Sequence, residues 1–86
     1  MLTKNITVDI PANQEARPVA MIVQVASRFD SKVHMECGNI RANVKSIMGM
    51  MAFGLKNGME VVVTVDGHDE SAALDAVTKQ LTSGAA

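Results

Sequence analysis

The stretch Met59-Glu60-Val61-Val62-Val63-Thr64-Val65 constrains this chain more than any other. Its four valines and one threonine are β-branched, stiff at χ1 and suited to a pleated surface, so the stretch reads as a strand. A strand this apolar belongs in the middle of a sheet with a layer packed over it. The rest of the chain has to supply both the flanking strands and the cover.

Periodicity shows where they come from. Leu2 to Ile10 alternates at Ile6, Val8 and Ile10, predicting a half-buried strand that Pro11 closes. From Ala16 to Phe29 the spacing changes to steps of three and four. Val19, Ile22, Val23, Ala26 and Phe29 then share one face of a helix, with Gln24 and Arg28 opposite and Met21 and Val25 outside the stripe. Asp30-Ser31 breaks this helix. Lys32 to Glu36 alternates again, and Cys37-Gly38-Asn39 is a tight connection into Ile40–Asn43, glycine supplying the positive φ. Ser46 has the chemistry of an N-cap for a short helix from Ile47 to Phe53. Asp69 is expected to cap a last helix, Glu70 to Leu81, whose buried face is Ala73, Leu74, Val77 and Leu81. Residues Thr82 to Ala86 are expected to fray. The economical solution for the order βαββαβα is an α+β open-faced sandwich, a four-stranded antiparallel sheet with three helices on one face.

Composition sets the remaining bounds. Eighty-six residues make one domain, 1–86, with a core that needs no staples. Phe29 and Phe53 are the only aromatics, so the core is aliphatic, and seven methionines give adaptable packing or an adaptable surface. A net charge of −1 with no basic run argues against direct nucleic-acid contact. The lone Cys37 excludes an internal disulfide, and no apolar run or leader pattern appears, so a cytoplasmic protein off the membrane is expected. Cys37 and His34 are too few to make a metal site. No nucleophile–base set, carboxylate pair or nucleotide-binding glycine loop is recognisable, so neither a cofactor nor an enzyme is expected.

One stretch does look chemical. In Ala12-Asn13-Gln14-Glu15-Ala16-Arg17-Pro18, proline falls in the first turn of the first helix, where amides have no intrahelical partner. Those amides, the helix dipole and Arg17 describe an anion pocket at Glu15, Ala16 and Arg17, yet Glu15 is itself an anion.

Two segments carry a resemblance to a known family. Glu15-Ala16-Arg17-Pro18-Val19-Ala20 is similar to the His-Ala-Arg-Pro-Ala pattern of the HPr family of the bacterial phosphotransferase system. Lys45-Ser46-Ile47-Met48-Gly49-Met50-Met51 resembles that family's Ser-Ile-Met-Gly segment. Their separation fits without gaps, and Lys56-Asn57-Gly58-Met59-Glu60 and Gly67-His68-Asp69-Glu70 continue the register. The resemblance implies the HPr-like form of the fold deduced above. It also exposes a departure: Glu15 occupies the position of the phosphocarrier histidine and has no imidazole nitrogen, while His34 and His68 fall elsewhere in the register. In this respect the chain is closest in kind to the regulatory Crh-like branch.

The resemblance further implies a regulatory phosphorylation site at Ser46, acted on by an HPr kinase/phosphorylase. A partner surface is expected at Arg17, Ala20, Met21, Gln24, Ile47, Met48 and Met51, since so short a second helix buries only part of its face. The implied partners are that kinase and a LacI-type catabolite regulator or a metabolic enzyme. The function expected is therefore a phosphoprotein regulating carbon metabolism in catabolite repression, without histidine phosphotransfer. The alternative is a sugar-transport phosphocarrier, natural or engineered, carrying Glu15. A homodimer stays open, since strand 1 could exchange between protomers.

Overall fold

The computed structural model describes residues 1–9, 17–56 and 58–82, with only the backbone of residues 17 and 18. The expectations for Ile10, Pro11 and the C-terminal residues 83–86 lie outside them. The elements are β1 (Leu2–Thr7), α1 (Arg17–Ser27), β2 (Lys32–Cys37), β3 (Ile40–Asn43), α2 (Ile47–Phe53), β4 (Glu60–Asp66) and α3 (Glu70–Leu81).

The sheet runs β1-β4-β2-β3 with every pairing antiparallel. The valine-rich strand is interior, as its composition requires: Val63 stands between Lys4 of β1 and Met35 of β2. Val61, Val63 and Val65 are buried under the helices, whereas Val62 and Thr64 are half-buried on the other face, the alternation of a sheet covered on one side. Val33 and Met35 of β2, Ile22 and Ala26 of α1, and Val77 and Leu81 of α3 complete the same core cluster. α1 packs against both α3 and α2.

Local chemistry sets the ends of the elements. Gly38 and Gly54 have φ of 60° and 73°, which close the β2–β3 hairpin and the C-terminus of α2. α1 tightens after Ser27, where Arg28 N donates to Val25 O and Phe29 N to Ala26 O, both at 3.2 Å. β1 contributes little to the core beyond Ile6. The next buried residue, Val8, is held by its N–H on Met59 O at 2.9 Å and by Gly58 N on its own carbonyl at 2.8 Å.

Two local expectations are corrected. Val25 is buried although it lies outside the three–four stripe, because α1 has both α3 and α2 as packed neighbours and is covered over a wider arc. Asp69 occupies the N-cap position of α3 but its side chain makes no capping hydrogen bond. The carboxylate turns away to the α1–β2 turn, where it has better donors.

Candidate functional site

The chain reaches Ser46 through a fixed turn. Val44, fully buried, donates its N–H to Val33 O at 3.0 Å and anchors the end of β3. Asn43 then organises the next two residues: its side-chain oxygen accepts Lys45 N and its carbonyl accepts Ser46 N, each at 2.9 Å. Ser46 is extended (φ −107°, ψ 116°), its Oγ accepts Gly49 N at 3.1 Å and its carbonyl accepts Met50 N at 3.0 Å. These bonds make it the N-cap read from the sequence. The Lys45 ammonium reaches back to the carbonyl of Phe29, at 2.7 Å, and supplies a cation to the C-terminal end of α1, which has no basic residue in its own last turn.

Beyond Ser46 the short helix divides sharply. Met50 and Phe53 enter the core, while Ile47, Met48 and Met51 are 51%, 83% and 69% exposed. On the adjoining α1, Ala20, Met21 and Gln24 are exposed as well. The structure thus puts six of the seven expected surface residues on the outer sides of two packed helices, beside a partly buried serine. Glu15 and Ala16, with the Arg17 side chain, lie outside the described residues, so the anion pocket remains a sequence expectation.

His34 and Cys37 are three apart on β2 and therefore on opposite faces, which separates the pair that spacing alone suggested. The histidine that does meet acidic groups is His68. Asp30, His68 and Asp69 form a cluster between the α1–β2 and β4–α3 turns. His68 Nε2 lies 3.0 Å from Asp30 Oδ2, and the hydrogen bond to Asp30, with the nearby Asp69 charge, raises the imidazole pKa above its ordinary value. Asp69 accepts from the hydroxyl and N–H of Ser31 and from Asp30 N, which hold its carboxyl down at about 2. Its acceptor capacity is spent on joining the two turns. The sequence contained this only as a motif, Gly67-His68-Asp69-Glu70, with nothing to signal that its partner would be Ser31.

Comparison with known proteins finds similarity along nearly all of the chain. The profile of the phosphotransferase-system HPr family, described as the PTS HPr component phosphorylation site, matches residues 2–83. The phosphocarrier protein HPr of Treponema pallidum is 48% identical over 79 residues, covering 92% of this chain and 90% of that one. The structure of HPr-C-His from Thermoanaerobacter tengcongensis superposes with a TM-score of 0.89 at 36% identity, over 98% of this chain and 94% of that one. Crh of Bacillus subtilis, a catabolite-repression protein solved as a swapped, intertwined dimer, gives 0.74 at 34% identity, over 92% and 86%.

Proposed function

We propose a function from one premise: the chain belongs to the HPr family of the bacterial phosphotransferase system. Within that family we read it as a regulatory, Crh-like member that Ser46 phosphorylation switches, acting in the cytoplasm without catalytic activity of its own. Its partners are an HPr kinase/phosphorylase and a LacI-type catabolite regulator or metabolic enzyme.

The observation that carries the reading is Ser46, a cap whose helix turns Ile47, Met48 and Met51 to solvent. In the kinase reaction Ser46 Oγ attacks the γ-phosphorus of ATP. The Oγ–P bond forms as the bond to the ADP oxygen breaks, and the hydroxyl proton passes to a base on the kinase. The product adds about −1.5 to −2 charge beside flexible apolar side chains without requiring a new fold. A partner that pairs cations with an apolar groove is then distinguished from one that does not. Residue 15 accounts for the other half of the reading. A carboxylate cannot form the phosphoimidazole on which carrier turnover depends, so Glu15 removes the histidine branch of the family's chemistry.

The test is binding. Titrated into a LacI-type regulator, the Ser46-phosphorylated protein should bind more tightly than the unmodified one, and equal affinities would contradict the reading. A second reading, a phosphocarrier of sugar transport, is favoured by the 48% identity to the Treponema pallidum phosphocarrier. Stable transfer of phosphate from phosphoenolpyruvate through the phosphotransferase enzyme would select it. Homodimerisation through exchange of β1 belongs to either reading, since β1 is an edge strand that pairs only with β4.

A further inference from the structure

Gly49 sits in the first turn of a seven-residue helix, where glycine is the poorest helix former after proline. Its backbone does not need glycine. The positive-φ glycines among the described residues are Gly38, Gly54 and Gly58, so any L-residue could adopt the conformation at position 49. What is special is the space above its Cα. A Cβ there would stand 3.3 Å from Ser46 Oγ, 3.4 Å from Ser46 Cβ and 3.7 Å from the carbonyl of Asn43. The closest neighbour of the missing side chain is thus the hydroxyl oxygen that the Gly49 N–H already holds at 3.1 Å.

We propose that Gly49 is the residue that lets Ser46 carry a phosphoryl group, a specificity determinant that deepens, and rests on, the reading of Ser46 as the regulatory site. Phosphorylation replaces the hydroxyl hydrogen by a phosphorus with three further oxygens, all of which need room around Oγ. With glycine at 49, the group fits while Oγ stays within reach of the Gly49 N–H. With a methyl group there, Ser46 has to rotate, giving up its capping bond, or the phosphoryl oxygens meet the new carbon. A few tenths of an ångström of crowding already falls on the unmodified hydroxyl, and the phosphoryl oxygens add to it, so the effect is read as the difference between the modified and unmodified proteins.

Two arms test this. In the first, Gly49→Ala and Gly49→Val proteins are incubated with HPr kinase and ATP, and thermal unfolding confirms that they fold. The rate of phosphoryl transfer to Ser46 should drop by about tenfold for alanine and further for valine, each tenfold being one decade of transition-state stabilisation. Wild-type rates in both would overturn the proposal. The second arm needs no kinase: phosphoserine is installed at position 46 by genetic encoding, in the wild-type chain and in the Gly49→Ala variant. Phosphate should lower the melting temperature of the Gly49→Ala variant by about 5 °C more than that of the wild-type chain. Equal shifts would overturn the proposal. A kinase that leaves even the wild-type chain unmodified contradicts the function proposed for Ser46, and the second arm still decides the role of Gly49.

Discussion

Ser31 and Asp69, 38 positions apart, meet at a single carboxylate oxygen: Asp69 Oδ1 accepts the Ser31 N–H at 3.0 Å and the Ser31 hydroxyl as well. Ser31 is the one buried polar residue among those described, and these bonds are what make its burial tolerable. The contact ties the turn after α1 to the start of α3.

Ser31→Ala should destabilise the fold by about 1.5–3 kcal/mol, the range for a hydrogen bond to a charged group. Urea unfolding would show the loss as a lower midpoint with an unchanged slope.

The same bonds set the acid limit. Asp69 has its folded pKa lowered from 3.8 to about 2, with the Ser31 hydroxyl as the largest cause. The unfolded chain therefore takes up a proton first, so Asp69's contribution is complete above pH 3.8 and is lost as pH falls through about 2. Unfolding followed between pH 5 and pH 2 should show this loss, and Ser31→Ala should move the folded Asp69 pKa upward.

His68 has the opposite sign. Its folded pKa lies above 6.5, mainly through the hydrogen bond to Asp30, so its contribution is present below pH 6.5 and disappears as pH rises through the folded value. Asp30→Asn should bring the imidazole back toward 6.5 in an NMR titration. An unmoved midpoint would show that Asp30 is not the cause.

The two sides of α2 should respond differently to mutation. Met48 is 83% exposed, so Met48→Asp should change stability by no more than about 0.5 kcal/mol while abolishing regulator binding. Met50 is fully buried, and Met50→Ala should cost about 2–5 kcal/mol. Denaturation and titration calorimetry on the same two proteins separate docking from folding.

The local signals in the sequence were strong wherever one element carried its own instructions. Ser46, the apolar residues after it and Gly54 delimit α2 at Ile47 and Phe53, and the valines of β4 put that strand inside the sheet. Side chains whose partners are distant in sequence were not legible. Asp69 resembles an N-cap locally, and only the folded topology brings Ser31 and Asp30 to it as stronger donors. Lys45 is adjacent to Ser46 in sequence, yet its ammonium serves Phe29, 16 residues away. Val25 failed the stripe pattern because α1 has neighbours on more than one side, which a single helical wheel does not contain.

The central claim is that chemistry has moved from position 15 to Ser46. Its most direct measurement is site-mapped mass spectrometry of the protein after incubation with HPr kinase and ATP, beside a Ser46→Ala control. The account predicts one phosphoryl group, on Ser46, and none on the control. A wild-type chain left without phosphate at Ser46 would contradict it.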